Sequence, residues 1–307
     1  GRICPGRGQH VGALRTRIGA AGQGTADRGG RQRHSRCGEC AGVEALTRPL
    51  AQLGRSAVAA LAGMGYAAML LVDALRLTLF GWRVGQPLRL RAVFEQMRQF
   101  GVDALPIVCL LAFTVGIMLG IQFVAALSEF GAQSQVVIAV AKSVTREFGA
   151  LITAILVAGR SGSALAARIG SMTVSQEVDA LAVIGIDPVR YLVAPALIAM
   201  LVMLPLLTVL ADAVAIFGAA LYSAPALNLT PTAYMLQTLS LLTPGDVGQG
   251  IAKSAVFALL ITLIGVSTGF SVTGGAEGVG RATTRAVVVS ICWIIVADMI
   301  FSFFLNR

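Results

Sequence analysis

The sequence predicts an all-α integral membrane protein. Of its 307 residues, 56% are hydrophobic and only 13% are charged, and the mean hydropathy is +0.80. A soluble protein carries about 25% charged residues, so this chain has too few of them to cover a surface of its size in water. Thirty-five glycines with only 6% aromatic residues favour closely packed helices over a β-barrel with aromatic girdles.

Residues 1–42 are predicted to be a disordered tail rich in glycine and arginine. The tail has almost no large apolar side chains, so it has nothing from which to build a core. Cys37 and Cys40 have metal-type spacing, but no second CxxC completes a zinc site, and we expect no metal here. The tail also lacks the apolar stretch of a signal peptide. A native tail, a fragment boundary and a wrongly assigned start all remain open.

Residues 43–103 are predicted to form an interfacial amphipathic region. Leucines and valines alternate with basic residues such as Arg48, Arg55 and Arg76, a pattern that suits a helix lying on a bilayer rather than crossing it. By our count, 15 of the 24 Lys and Arg residues precede residue 105. Because basic residues remain on the cytoplasmic side, we expect the N-terminus there.

Residues 104–307 are predicted to form a domain of five membrane spans. A helix of about 20 apolar residues crosses a core of about 30 Å. The spans are expected at about 104–127, 136–158, 191–221, 251–270 and 286–305, the third interrupted by Pro195 and Pro205. Gly116 and Gly120 form a GxxxG step in the first span, and both a dimer seam and packing inside one subunit remain open.

The loops give the expected orientation. Arg160, Arg168 and Arg190 lie between spans two and three, and Arg281 and Arg285 lie between spans four and five. The loops at 128–135 and 222–250 contain no Lys or Arg. Both basic loops are therefore expected in the cytoplasm, and an odd number of spans leaves the C-terminus on the opposite side of the membrane.

We expect no catalytic residue in this chain. Gly159-Arg-Ser161-Gly matches the motif of an intramembrane serine protease, but a serine needs a base. The only histidines are His10 and His34 in the tail. Residues 248–254 do not have phosphate-loop spacing, so no ATP site is expected in this chain. The basic tail more simply meets anionic lipid than nucleic acid.

The loop between spans two and three is predicted to contain a capped amphipathic helix. Thr173 or Ser175 would cap the helix, Glu177 would lie in its first turn, and Gly185 would end it. One face carries Val174, Val178, Leu181 and Ala182. Such a helix at the cytoplasmic end of a bundle is a docking surface for a partner, although packing against its own bundle is an open alternative.

Several long motifs resemble the MlaE/YrbE family of ABC-transporter permeases. They include Glu147-Phe-Gly, the run from Ala158 to Leu165, Ile169-Gly-Ser-Met172, Gln176-Glu-Val-Asp-Ala-Leu181, Asp187-Pro-Val-Arg190, Pro195, Lys253-Ser254, the run from Gly280 to Arg285, and Asp298. The resemblance extends from about Leu46 to the C-terminus. The chain departs from the family pattern at Arg168, where many members are acidic, and at Ala150, where many have proline and a helix kink.

The resemblance implies a homodimeric inner-membrane permease that moves phospholipid and maintains the lipid asymmetry of the outer membrane. Its expected partners are a cytoplasmic ATPase that binds the ATP, a periplasmic ring of MCE domains and, in some members, a STAS-domain protein. The implied lipid-binding residues are Leu119, Gln122, Phe130, Glu147 and Phe148. The loop helix would be the coupling helix, with Thr173, Val174, Glu177, Val178, Asp179 and Leu181 at the ATPase.

Charged residues inside the spans need partners or a cavity. A charge at mid-bilayer costs about 2.5 to 3.5 kcal/mol or more, so Glu147 is expected to face a lipid path or to pair with Arg146 or Lys142 of a neighbouring helix. Lys253 and Asp298 are expected to be structural polar anchors. The rival hypothesis is a stand-alone secondary transporter or channel that uses Glu147, Lys253 and Asp298 as an ion relay.

Overall fold

The computed structural model describes residues 90–305, together with Gly65. The tail at 1–42, its cysteines and histidines, and most of the interfacial region lie outside the described residues. The described helices are α1 Leu90–Phe100, α2 Leu105–Glu129, α3 Val136–Ser143, α4 Gly149–Val157, α5 Ser163–Val174, α6 Glu177–Val183, α7 Ala194–Ala226, α8 Pro231–Leu241, α9 Pro244–Phe270 and α10 Gly275–Leu305.

Within the described residues, five helical stretches are long and apolar enough to cross a membrane, which confirms the five spans predicted for this region. They run over 91–129, 133–174, 189–226, 244–270 and 275–304. Spans four and five begin about two and three turns earlier, respectively, than the sequence predicted. The described part of the chain contains no strand, as expected for the all-α class.

The first and third spans form the most extensive helix pair, and glycine brings them together. A side chain at Gly116 would overlap the backbone of Ala215 in α7, and one at Gly120 would lie 2.8 Å from Ser223 Oγ. Small residues let two helices approach closely where lipid supplies no hydrophobic driving force. The GxxxG step therefore packs inside one subunit, and the dimer-seam alternative is not needed for it.

The second span belongs to one continuous helix of 42 residues that contains two π-helical turns. The turns cover Val144–Phe148 and Ala158–Gly162, and they join α3, α4 and α5. At 1.5 Å per residue this helix is about 63 Å long, twice the bilayer core. It therefore continues well beyond the membrane and carries the loop helix with it. The first π-helical turn ends directly before Gly149 and Ala150.

The third span is not interrupted by its prolines, which corrects the prediction. Pro195 lies in the first turn of α7, where a missing N–H costs nothing, and Pro205 lies inside a helix that runs unbroken to Ala226. A π-helical turn over Val189–Val193 precedes it. Neighbouring helices allow a proline inside a membrane helix.

The loop helix, α6, is shorter than predicted, and neither proposed cap is used. Thr173 still belongs to α5, where its hydroxyl donates to the Ile169 carbonyl at 2.8 Å. The Ser175 hydroxyl donates to the Ser171 carbonyl and to Glu177. The residue before α6 is Gln176, whose φ of +60° produces the bend between α5 and α6. Gly185 ends the helix as expected, with φ of +86°.

The loop between spans three and four contains the short helix α8, which the sequence did not predict. Pro231 starts this helix and the Thr230 hydroxyl caps it by accepting the Ala233 N–H at 3.2 Å. Tyr234 is fully buried and fixes α8 against Val137 and Ala220. Burial raises the pKa of the Tyr234 phenol because it disfavours the charged form.

Candidate functional site: a charged cluster between three spans

Four side chains from three spans meet in what we call the charged cluster: Glu147, Lys253, Asp298 and Ser302. The Lys253 ammonium donates to Glu147 Oε2 at 2.6 Å, to Asp298 Oδ1 at 3.0 Å and to Ser302 Oγ at 3.1 Å. The Ser302 hydroxyl lies 3.0 Å from both Glu147 oxygens. The cluster therefore ties together the first π-helical turn, α9 and α10.

The charged cluster is buried at its cation and opens at one carboxylate. The side chain of Lys253 is 0% exposed, that of Asp298 15% and that of Glu147 31%. Lys253 uses its three donors on three acceptors, so none of its N–H groups is left without a hydrogen bond. The partly exposed Glu147 leaves a polar edge beside the exposed apolar side chain of Phe148. A surface of this kind suits a polar group that must pass along the protein within the membrane.

A second ion pair fixes the neighbouring residue of the same π-helical turn. Arg146 Nε donates to Asp246 Oδ1 at 2.6 Å, and the Asp246 side chain is fully buried. The other oxygen of Asp246 accepts the N–H and hydroxyl of Thr243 at 3.0 and 2.8 Å, which forms a capping box at the start of α9. Both charged residues of the turn are thus bound to the same helix, α9.

The expected pairing of Glu147 with Arg146 or Lys142 is wrong, since Lys253 is its partner. The predicted anchors Lys253 and Asp298 instead join Glu147 in one site. The sequence did not predict that Ser302 joins the charged cluster, that Arg146 pairs with Asp246, or that Thr243 caps α9. Thr243-Pro-Gly-Asp246 carries the signal of a capped helix start, because proline suits the first position and the acid the third.

The implied lipid-binding residues separate into two groups. Leu119 and Phe148 line a cleft between α2, α4 and α7, together with Val115, Gly149 and Ala215 among others. Gln122 and Phe130 lie on the surface, and Phe130 is 83% exposed. The cleft has a volume of about 10 Å³, room for about one water molecule. A single copy of the described chain therefore has no cavity for a lipid here.

The implied coupling residues also fall on two helices. Thr173 and Val174 end α5, whereas Glu177, Val178, Asp179 and Leu181 lie on α6. Val178 is buried against the bundle, so part of this surface packs inside the subunit. Beyond it, Val183 is 88% and Ile184 73% exposed. These two apolar side chains project from the end of α6.

The protease motif and a metal centre find no support in the described residues. Ser161 lies in the second π-helical turn, and its hydroxyl is buried without a hydrogen-bond partner among residues 90–305. Both histidines of the chain lie outside that range. Within the same range, no group of three His, Cys, Asp or Glu side chains is placed to hold a metal ion.

Comparison with known proteins extends over the whole described bundle. Residues 93–304 match the family described as Permease MlaE. The chain belongs to the MlaE permease family. A probable ABC transporter permease protein of Rickettsia felis is 37% identical over 212 residues, which cover 69% of this chain and 82% of that protein.

Two further relatives carry names that mention a chloroplast or a phospholipid. The chloroplastic protein TRIGALACTOSYLDIACYLGLYCEROL 1 of Arabidopsis thaliana is 39% identical over 215 residues, covering 70% of this chain and 61% of the relative. The intermembrane phospholipid transport system permease protein MlaE of Haemophilus influenzae is 34% identical over 215 residues, covering 68% and 82%. This MlaE-family chain is thus a multi-pass membrane permease, and the charged cluster lies inside its matched region.

Proposed function

We propose that this chain is the permease subunit of an ATP-driven phospholipid transporter that maintains outer-membrane lipid asymmetry. The observation that carries the proposal is the charged cluster, which is buried at Lys253 and opens to the surface at Glu147 beside the apolar Phe148. A phospholipid presents the same combination of a charged headgroup and apolar chains. The phospholipid transport named for the Haemophilus influenzae relative supports this substrate class.

The lipid site forms between two copies of the chain. The cleft at Leu119 and Phe148 is too small for a lipid in one copy, whereas Gln122, Phe130 and Phe148 are exposed and available to a second surface. Lipid chains would contact Leu119, Phe130 and Phe148, and the headgroup would meet Gln122 and Glu147. A lipid held in this way spans the interface of a homodimer.

Helix α10 supplies the dimer interface. Only 11% of its apolar window is buried inside one copy, compared with 67% for the third span. Its exposed side includes Val288, Cys292, Ile295, Met299 and Phe303 at spacings of three and four residues. This spacing places them along one side of the helix, as a helix-to-helix contact requires.

ATP is bound and hydrolysed by a separate cytoplasmic ATPase, and α6 is the coupling helix. The exposed Val183 and Ile184 would enter a groove of that ATPase, and Glu177 and Asp179 would set its orientation. Movement of α6 reaches the charged cluster through the continuous helix over 133–174. The basic loops support a position of α6 and the N-terminus on the cytoplasmic side of the bacterial inner membrane.

The remaining partners are a periplasmic MCE-domain ring and, in some assemblies, a STAS-domain protein. Purification of the complex from native membranes in mild detergent, with mass spectrometry of proteins and lipids, tests the whole proposal. We expect an ATPase, an MCE-domain protein and phospholipid to copurify. A homo-oligomer without an ATPase, under conditions that keep related complexes intact, would instead favour the ion-coupled secondary transporter.

A further inference from the structure

Asp212 is a membrane-buried carboxyl group to which the proposed transport assigns no task. It lies in the middle of α7, and its residue is 6% exposed. Its Oδ1 atom has no hydrogen-bond partner within the described part of the chain. A buried ionisable side chain in a membrane span marks a functional site more often than not, because leaving it charged is costly.

Two cations on the packed neighbouring helices bind other carboxylates. Arg146 binds Asp246, and Lys253 binds Glu147 and Asp298. Of the other charged side chains on these elements, Arg91, Glu95, Arg98 and Glu129 are exposed, Lys142 is half-buried, and Arg190 precedes α7 and makes other interactions. Burial without a cation therefore favours the neutral form of the Asp212 carboxyl.

The carboxyl of Asp212 fills a notch that Gly149 creates. A Cβ atom added to Gly149 would overlap Asp212 Oδ1 and would lie 3.2 Å from the Val144 carbonyl oxygen. Both oxygens therefore lie around the Cβ position of Gly149, at the end of the first π-helical turn. A carbonyl oxygen and an ionised carboxylate are both acceptors only, so they cannot bond to each other. A protonated carboxyl can donate to the carbonyl.

A second orphaned polar atom lies one helical turn away. Thr153 is fully buried, and its hydroxyl has no hydrogen-bond partner among the described residues. Gly149 and Thr153 line the same cleft as Ala211 and Ala215 of α7, and Asp212 directly follows Ala211 in the sequence. The cleft has a volume of about 10 Å³, which admits about one water molecule. A water molecule can deliver or accept a proton.

We propose that Asp212 is a proton-binding site in the membrane core, a neutral carboxylic acid that donates to the Val144 carbonyl and fastens α7 to the second span. The proton exchanges with water through the cleft lined by Gly149 and Thr153. This site does not depend on the identity of the transported molecule. Asp212 would bind the first π-helical turn to α7, whereas the ion pairs of Arg146 and Glu147 bind the same turn to α9 and α10.

Infrared spectroscopy of the purified protein in lipid bilayers tests this site directly. Asp212→Asn should remove one carboxylic-acid C=O band at neutral pH, and should keep the thermal unfolding temperature close to wild type because the amide also donates to a carbonyl. Asp212→Ser, a smaller neutral donor, is the second variant in case Asp212→Asn does not fold. Glu129→Gln, at an exposed position, should leave the carboxylic-acid region unchanged.

The two results are distinguishable. Loss of the acid band in either Asp212 variant, with the band retained in Glu129→Gln, establishes the bound proton. A carboxylic-acid region identical to wild type in both Asp212 variants, or loss of a carboxylate band instead, overturns the proposal. Neither result depends on lipid transport or on a partner subunit, so failure here leaves the proposed transport function standing.

Discussion

The Lys253 ammonium nitrogen lies 2.6 Å from Glu147 Oε2, across 106 residues of sequence. Asp298 and Ser302 complete its coordination from a third helix, so one fully buried cation holds three spans together. The two acids are unequally exposed, since the Glu147 side chain is 31% exposed and the Asp298 side chain 15%. The same residues therefore serve the packing of the bundle and the polar edge of the proposed lipid path.

Removal of the central cation should destabilise the bundle. Lys253→Met leaves the Glu147 and Asp298 carboxylates without their cation, and breaking a buried ion pair costs about 3 to 5 kcal/mol. We expect a clear fall in the thermal unfolding temperature of the protein in detergent. Adding Glu147→Gln and Asp298→Asn to Lys253→Met should recover part of the loss. Lys142→Met, at a half-buried position on the same long helix as Glu147, is the control. Equal unfolding temperatures for the Lys253 and Lys142 variants would contradict this account.

The contact between Gly149 and Asp212 should appear as an energetic coupling. Gly149→Ala puts a methyl group where the Asp212 carboxyl lies, and overpacking costs about 1 to 3 kcal/mol. In the Asp212→Ala background the same change should cost much less, because the space is free. Thermal unfolding of the two single variants and the double variant measures the coupling. Gly159→Ala is the matched control, since nothing lies within 4 Å of its Cβ position. Additive effects at 149 and 212 would show that the two residues do not compete for one space.

The sequence was sufficient for the spans but not for the partners of their charges. Apolar runs set the five helices, since length and composition decide which segments can cross a bilayer. Pairing of Glu147 with Lys253 depends on how three helices rotate and pack, and no local pattern carries that information. Thr173 was assigned to α6 because it resembles a cap, yet α5 continues through it, and the bend at Gln176 has no strong sequence signal. Thr243 and Asp246 mark the start of α9 in the sequence, whereas the apolar run alone predicts a start that is too late.

Changes on α6 should separate ATP hydrolysis from transport. Glu177→Lys with Asp179→Lys reverses the charge that would meet the ATPase, and we expect at least about tenfold weaker binding of the ATPase. Since Asp179 also interacts within the chain, Val183→Asp is a second variant at a side chain that is 88% exposed. Lipid transport and ATPase activity are measured in reconstituted vesicles. Glu129→Lys, on the opposite side of the membrane, should have no effect. Normal transport by both α6 variants would exclude α6 as the coupling helix.

Cys292 should form a disulfide across the proposed homodimer interface. The exposed thiol lies in the middle of the unburied side of α10, and a disulfide needs Cα atoms about 4.4 to 6.8 Å apart. A variant that retains Cys292 as its sole cysteine should run as a covalent dimer after oxidation in native membranes. The control retains only Cys109, which is half-buried on α2. A dimer by mass that forms no Cys292 crosslink would place the interface on another side of the bundle.

Phe148 should contact the bound lipid, and Val209 provides a control at nearly equal exposure. Phe148 is 38% exposed beside the charged cluster, whereas Val209 is 41% exposed on α7. A benzophenone amino acid is introduced at either position, and the complex is irradiated after detergent has removed bulk lipid. A phospholipid retained between two copies should crosslink several-fold more at 148 than at 209. Because the two side chains are nearly equally exposed in one copy, such a difference reports the retained lipid rather than general exposure to detergent. Equal yields at the two positions would place the lipid elsewhere. If crosslinking at 148 then falls in Glu147→Gln while assembly is intact, the polar edge of the charged cluster holds the headgroup and Phe148 the chains.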